Sequence, residues 1–326
     1  MTNISSQTFS QSAEQIGFVI THECHEDSEV KLMKTKVQDS YTLWGTILSD
    51  KLFINLGLWD KSLYNEYQSL DFDFSKISNV QDINSQLHLY YMIRPLIRRH
   101  FFGKRLLEIG CGNGLGLKAS SQLLKANYAL GIDLVHLHTS SASKSFYKKN
   151  ELNYIQSDAE ILPVANNSFD LVMNIESSHL YPRIEHFFSE VSRVLAPGGY
   201  FCYADHNAPN RAQAAKFEAF LKKNPYLKVI QKSNITKLAQ ASIHRRIVAN
   251  ENWFYNFSQR LFGTDSQNFA MNMLHLAYAM GLIFLPWWKI HFKQPELRYI
   301  AKAARKEKFW GKKYYFYYLI QKVESS

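Results

Sequence analysis

An apolar run, Arg105–Ile109, leads directly into Gly110-Cys111-Gly112-Asn113-Gly114 and then into a helical stretch. Short apolar runs recur at Tyr128–Ile132, Asn153–Gln156, Phe169–Met173 and Tyr200–Ala204, each bounded by turn residues. Strands that alternate with helices in this way bury their apolar faces as a mostly parallel sheet with helices on both sides. One intervening helix is plain: Ile184, Phe187, Phe188, Val191, Val194 and Leu195 share a face, and Pro197-Gly198-Gly199 stops it. Leu227–Gln231 reads as a further strand, and Tyr315–Lys322 as a late one after a turn at Gly311.

A strand entering glycines and then a helix is a place for an anion or a nucleotide, because the backbone is open and the helix start offers free N–H groups. The dinucleotide fingerprint needs a third glycine at the sixth position, and Leu115 stands there. Glu108, two residues before the turn, would repel a pyrophosphate but accept hydrogen bonds from an amino group. The ligand expected here is therefore cationic or zwitterionic. Asp133 ends the second strand and can take both ribose hydroxyls. Asp158 follows the third strand and can accept from an adenine amino group. Three acids at successive strand ends, on one side of one sheet, form a constellation.

Leu-Glu-Ile-Gly-Cys-Gly-Asn-Gly, Gly-Ile-Asp-Leu, Ser-Asp-Ala-Glu, Ser168-Phe169-Asp170-Leu171-Val172 and Arg193-Val194-Leu195-Ala196-Pro197-Gly198-Gly199 occur in the order found in class I S-adenosylmethionine-dependent methyltransferases, which Arg105 to His206 resembles. The resemblance implies S-adenosyl-L-methionine as cofactor and S-adenosyl-L-homocysteine as product. It implies that Glu108, Gly110, Gly112 and Gly114 line the methionine part, that Asp133 holds the ribose, and that Asp158 and Ala159 sit at the adenine. Asn174 would touch the methionine end, and Asn113, Leu134 and Glu160 complete the expected cofactor set. It also implies a Rossmann-like, doubly wound sheet of seven strands, mostly parallel, with the last antiparallel.

The loop Asn174-Ile-Glu176-Ser-Ser-His179-Leu-Tyr181-Pro182 follows the fourth strand, where ligands of open α/β sheets sit. It lacks the Asn/Asp-Pro-Pro-aromatic signature of base N-methylation and the Pro-Cys nucleophile of cytosine methylation. Together with Tyr203-Ala204-Asp205-His206 and Asn55-Leu56-Gly57-Leu58-Trp59-Asp60, it resembles bacterial lipid and fatty-acid O-methyltransferases, including the phthiotriolone dimycocerosate type. A hydroxyl acceptor needs a base, whereas a carboxylate needs none. His179 is the first candidate, since imidazole titrates near neutrality. Glu176 would orient it or bind the acceptor, and His206 is a further candidate. Trp59, Tyr181 and Trp287 are expected to meet the acceptor. No metal site is expected.

The chain of 326 residues carries a net charge of +10, with 46% hydrophobic and 14% aromatic residues. That is enough apolar material for a large core. From Pro286 to Ser326, ten Lys/Arg face three Glu, interleaved with aromatics. Such a tail suits nucleic acid, an anionic lipid surface, or a solvated face over a packed strand. Three scattered cysteines and no secretory leader point to the cytoplasm, with membrane association a further expectation. Met273 to Trp288 is uncharged but shorter than a membrane span and broken by Pro286, so a buried helix or a wall for an apolar substrate is expected there.

The organisation expected is a mobile segment over 1–27, a helical lid over 28–100, a cofactor-binding core over 101–206, a helical substrate cap over 207–310, and a last strand over 311–326. The function expected is methyl transfer to a small, apolar acceptor at oxygen. The alternatives are an RNA or protein methyltransferase that uses the basic tail, and a non-catalytic module that binds S-adenosylmethionine.

Overall fold

A computed structural model describes residues 6–48, 55–78, 82–206, 213–263, 268–306 and 313–324. Its centre is a seven-stranded sheet in the order β3-β2-β1-β4-β5-β7-β6. The strands are β1 (Arg105–Ile109), β2 (Tyr128–Asp133), β3 (Leu152–Gln156), β4 (Phe169–Ile175), β5 (Leu195–His206), β6 (Leu227–Asn234) and β7 (Tyr315–Lys322). β1 to β5 run parallel, with Glu108 beside Gly131 and Asn174 beside Tyr203. β7 is antiparallel to both β5 and β6. Strand order reverses direction between β1 and β4, and the crevice outside that point is where such a sheet holds ligands.

The helices follow from local pattern. α4 (Ile83–Arg98) begins at Asp82, whose carboxylate accepts the Asn84 N–H, and it buries Leu87, Leu89, Met92, Ile93 and Leu96 against one face of the sheet. α5 (Leu115–Leu123) starts at Gly114. α6 (His136–Phe146) packs on β2 and β3. α7 (Ile184–Val194) buries Ile184, Phe187, Phe188, Val191 and Val194 against the opposite face, each worth about 1.5–3 kcal/mol on full burial. α8 (Gln213–Lys223) adds Phe217 to the same cluster.

α2 (Asp27–Leu48) and α3 (Lys61–Gln68) precede α4 and lie within the expected lid. The expected mobile segment differs: residues 6–21 form a helix, α1 (Ser6–Thr21), packed on α2. Phe9, Ile16 and Val19 are buried, and Phe9 lies against Trp44 and Phe262. Its apolar positions are spaced widely among Ser and Gln, so its periodicity is faint, and tertiary packing supplies the stability. Met1 to Ser5 lie outside the described residues.

The expected cap over 207–310 also differs, because β6 is a strand of the sheet and α8 packs on the cluster against its face. The helices before the last strand are α9 (Thr236–Ile243), α10 (Glu251–Phe262), α11 (Phe269–Ala279) and α12 (Arg298–Lys306). The uncharged stretch forms α11 followed by two short 3-10 turns, Leu282–Phe284 and Trp287–Lys289. No helix among the described residues is long and apolar enough to cross a membrane. The aromatic run of the basic tail is core: Tyr315, Tyr317 and Tyr318 are fully buried in β7. The turn expected at Gly311 lies outside the described residues.

Candidate functional site

A cleft opens beyond the C-terminal ends of β1, β2 and β4. Its walls include Gly110, Gly112, Asp133, Leu134, Asp158, Ala159, Glu160, Glu176 and Tyr181, all named from the sequence, and Lys34 and Tyr41 of α2, which were not. A second recess, about 500 Å³, is lined by Asn55, Glu108, Gly110, Gly112 and Asn113.

The glycine turn is required by its backbone. Gly110, Gly112 and Gly114 have φ of 72, 53 and 77°, a region that favours glycine. A Cβ on Gly110 would stand 2.2 Å from Ser177 Oγ, and one on Gly114 would stand 2.5 Å from the Tyr154 ring. Gly112 meets nothing within 4 Å, so this edge of the cleft is left open for a ligand. Asp133 supports the turn from below. Its Oδ2 accepts the Gly112 N–H at 2.8 Å, and its Oδ1 accepts the Val135 N–H at 2.9 Å and lies 3.2 Å from His138 Nδ1.

Glu108 is 5% exposed, and its Oε2 has no hydrogen-bond partner. Burial, reinforced by Asp133, pushes its carboxyl up to about 8. A buried acceptor in this state is under-satisfied, and a cationic amino group in the recess would relieve it. The open edge at Gly112 and the unpaired Glu108 oxygen therefore fit a ligand with a nucleoside body and an ammonium arm. Asn174 is fully buried. Its amide nitrogen is committed to the Ile109 carbonyl, Ser177 Oγ and Tyr181 Oη at 2.9, 2.7 and 3.2 Å, and its Oδ1 is left without a partner.

Where the adenine was expected, the carboxylates are already engaged. Asp158 Oδ2 and Glu160 Oε2 each hold Lys34 Nζ at 2.5 Å, and Glu160 Oε1 accepts the Arg183 N–H. Asp158 Oδ1 accepts the Glu160 N–H. A lysine from the lid thus occupies the carboxylate that was expected to face an amino group.

The loop after β4 carries two buried networks. Glu176, with φ of 50°, accepts the Leu56 N–H on both oxygens at 3.0 and 2.8 Å and the Tyr315 hydroxyl at 2.6 Å. His88 Nδ1 lies 3.5 Å away. Burial pushes the Glu176 carboxyl up to about 7. Glu176 therefore does not orient His179. Asp205 does: its Oδ1 lies 2.8 Å from His179 Nδ1, and its Oδ2 accepts the His179 N–H at 2.9 Å. Ser178 Oγ and the His206 N–H donate to the same carboxylate at 2.6 and 2.7 Å. Despite burial, His179 and these donors hold Asp205 down to about 2. The sequence shows Asp205 only as the neighbour of His206, and nothing in the spacing ties it to His179.

The His206 ring lies 4.1 Å from the His179 ring. Burial, with His179 beside it, lowers His206 to about 3, so it stays neutral and is too weak a base for the role first considered for it. The ligand atoms of His179, Asp205 and His206 lie within 4.8 Å of one another, close enough for a metal ion. Four donors already use the Asp205 oxygens, which makes the cluster a proton-handling arrangement first. His179 is buried but does not line the main cleft, whereas Glu176, Ser177, Leu180 and Tyr181 do.

Trp59 and Trp287 line neither of these recesses. Trp59 stacks under the Arg245 guanidinium at 3.7 Å, and its backbone N–H donates to the Leu238 carbonyl. Trp287 is 46% exposed, with Arg305 over its ring. Tyr181 does line the cleft, but its hydroxyl is hydrogen-bonded to Ser177 at 2.8 Å.

Residues 107–203 match the family described as Methyltransferase domain. The chain is 43% identical over 107 residues to a fatty-acid O-methyltransferase of Mycolicibacterium smegmatis, which covers 32% of this chain and 37% of that protein. It is 35% identical over 151 residues to the phthiotriol/phenolphthiotriol dimycocerosates methyltransferase of Mycobacterium tuberculosis, covering 46% of this chain and 55% of that one. A Mycobacterium ulcerans protein, phthiotriol/phenolphthiotriol dimycocerosates methyltransferase 1, is 30% identical over 190 residues, covering 56% of this chain and 69% of that one. The match thus spans about half or less of the length of the first two relatives. Among solved structures, geranyl diphosphate C-methyltransferase from Streptomyces coelicolor, in complex with Mg2+, geranyl diphosphate and S-adenosyl-L-homocysteine, superposes with a TM-score of 0.54 at 12% identity, over 89% of this chain and 98% of that one. The [4+2]-cyclase SpnF does so with a TM-score of 0.55 at 16% identity, over 90% and 97%. Likeness at such identity carries the fold, and the second case shows that this fold hosts more than one chemistry.

Proposed function

The chain belongs to the S-adenosylmethionine-dependent methyltransferases, and we propose that it transfers the methyl group of S-adenosyl-L-methionine to an oxygen of a small, lipid-like acceptor. The observation that carries the reading is the buried His179–Asp205 pair beside a cleft that suits the cofactor. When bound, the cofactor supplies a methyl group already activated by its sulfonium charge. The residues of the chain need then only bind, align and handle one proton.

In this reading Glu108 takes the amino group of the methionine arm, Asp133 the ribose hydroxyls, and Leu134, Ala159 and Glu160 border the base. Asp205 stays ionised and accepts only, so His179 carries its proton on Nδ1 and keeps Nε2 basic. That nitrogen takes the proton of an acceptor hydroxyl. His206 stays neutral, so it adds no positive charge beside the base. Glu176 is a positioning residue that ties the 55–60 segment to the loop after β4.

Two of the relatives are named for fatty acids and for phthiotriol dimycocerosates, which supports an apolar acceptor. A second reading, with a carboxylate as acceptor, is favoured by Lys313. This half-buried ammonium lies 5.5 Å from the Phe284 ring, which packs 5.1 Å from the His206 ring. A carboxylate held there would need no base. An RNA acceptor is disfavoured, because Tyr315, Tyr317 and Tyr318 of the basic tail are buried in β7 and offer no face to a base.

Methyl-labelled cofactor incubated with an extract of the source cells tests the reading. Label is expected in the organic phase and is expected to disappear with Asp133→Ala. Label in RNA or protein overturns the lipid reading. Cofactor binding with no label in any fraction favours the non-catalytic module. His179→Ala then separates the two oxygen acceptors: transfer to a hydroxyl is lost, and transfer to a carboxylate is kept.

A further inference from the structure

The segment from Pro286 to Lys306 presents a strongly basic surface that is also apolar. Trp287 and Trp288 are 46% and 57% exposed, side by side on the turn that follows Phe284. Lys289, Lys293, Arg298, Lys302, Arg305 and Lys306 are all exposed around them, against a single acid, Glu296. None of the six cations forms an ion pair with a described residue. In α12, Ile300, Ala301 and Ala304 turn inward, which leaves Arg298, Lys302, Arg305 and Lys306 along the outer face at helical spacing. The Trp287–Lys289 turn packs beside this helix, and Arg305 lies 5.8 Å from the Trp287 ring centroid. Indoles and cations therefore share one face.

We infer that this face docks on an anionic lipid bilayer. Exposed indoles flanked by lysine and arginine are what the headgroup region accepts: the rings bury apolar area and the cations meet lipid phosphates. Nucleic acid suits the same charge but not the same rings. The two indoles meet at 87°, and one face of Trp287 is covered by Arg305, so they make no parallel platform for successive bases.

The position connects the face to the site. Phe284 packs on His206, and Trp287 follows three residues later, a reach of about 10 Å at full extension. A chain docked through the indoles would hold the His179–His206 end of the site near the lipid surface. Docking of this kind serves a lipid-like acceptor and rests on that reading.

The intact protein would be sedimented with vesicles of phosphatidylcholine alone and of phosphatidylcholine mixed with phosphatidylglycerol, without acceptor. Binding is expected only to the anionic vesicles, weakening as salt rises, with a blue shift of tryptophan emission. Trp288→Ala should remove much of the emission shift. Lys302→Glu with Arg305→Glu should lower vesicle partitioning at least about fivefold per cation lost. Unchanged cofactor affinity would show that both variants are folded. Absence of sedimentation, sedimentation that both variants retain, or equal binding to neutral vesicles overturns the docking face. Salt-sensitive binding of single-stranded RNA that the charge variant abolishes, without vesicle binding, reassigns the face to nucleic acid. Vesicle binding by a chain that labels nothing in the organic phase keeps the face and loses the lipid acceptor.

Discussion

The carboxylate of Glu176 holds the backbone N–H of Leu56 at 2.8 and 3.0 Å, across 120 residues of chain. The lid thereby closes onto the loop that follows β4, and Tyr315 of the last strand donates to the same group. Three parts of the chain meet at one buried acceptor.

Removing that acceptor should free the lid. Glu176→Ala leaves the buried Leu56 N–H unpaired, at a cost of about 1–3 kcal/mol. Hydrogen exchange over 55–60 should rise in Glu176→Ala and stay near the parent in Glu176→Gln, which keeps an acceptor oxygen. The Glu176 carboxyl is raised to about 7 in the fold, so its stability contribution is present below its ordinary value near 4.5 and is lost as pH rises through about 7. Glu176→Gln should flatten that part of the stability curve. Equal exchange in all three proteins would rule out the clamp.

Glu108 should make cofactor binding a proton-releasing event. Its carboxyl, raised to about 8, is mostly protonated at pH 7 in the free protein. An ammonium against it favours the carboxylate, so binding at pH 7 expels a proton and affinity climbs as pH rises toward 8. Calorimetry in two buffers of different ionisation heat should give different binding enthalpies at pH 7. Glu108→Gln should remove the difference and weaken binding by about 1.5–3 kcal/mol. Identical heats in both buffers for the parent chain would show that Glu108 does not meet the ammonium.

Lys34 should act as a latch at the adenine end. Its ammonium neutralises two carboxylates whose side chains are 30% and 3% exposed. Lys34→Met leaves both charges uncompensated. Loss of one partner in a buried pair costs about 3–5 kcal/mol, and the part-exposed Asp158 places this case at the lower end. An adenine amino group could take over Asp158 in that variant, so the thermal shift on adding cofactor should be larger than in the parent. An equal or smaller shift would mean that the base does not reach Asp158.

The sheet was legible because each buried strand is a short apolar run closed by turn residues. β1 and β7 match their sequence bounds, and a mostly parallel sheet of seven strands with the last antiparallel is as the resemblance implied. The glycine turn was legible for a related reason: Gly110, Gly112 and Gly114 are needed by local backbone geometry. Pairings between distant segments were not legible. Lys34 with Asp158, Glu176 with Leu56, and Asp205 with His179 join residues separated by 124, 120 and 26 positions, and no local periodicity records such contacts. α1 was missed for the opposite reason, since its pattern is local but too sparse to stand out. The exposure of Trp287 was not legible, because an uncharged run looks the same whether its last turn faces the core or solvent.

The His179–Asp205 pair yields the sharpest test of mechanism. If His179 Nε2 takes the acceptor proton, His179→Ala should lower turnover by about 10²–10⁴-fold and leave cofactor affinity unchanged. Asp205→Asn should also lower turnover, because a neutral amide no longer fixes the proton on Nδ1 or stabilises the imidazolium that forms. Asp205→Asn should also act on stability, an effect that His179→Ala shares in part because the imidazole is a main cause of the low Asp205 value. The Asp205 carboxyl is held near 2 in the fold, so its stability contribution is present above its ordinary value near 3.8 and is lost only as pH falls through about 2. The asparagine variant gives up that contribution at neutral pH and should melt lower than the parent. Turnover unchanged in His179→Ala with a hydroxyl acceptor would remove the base, whatever the stability of Asp205→Asn.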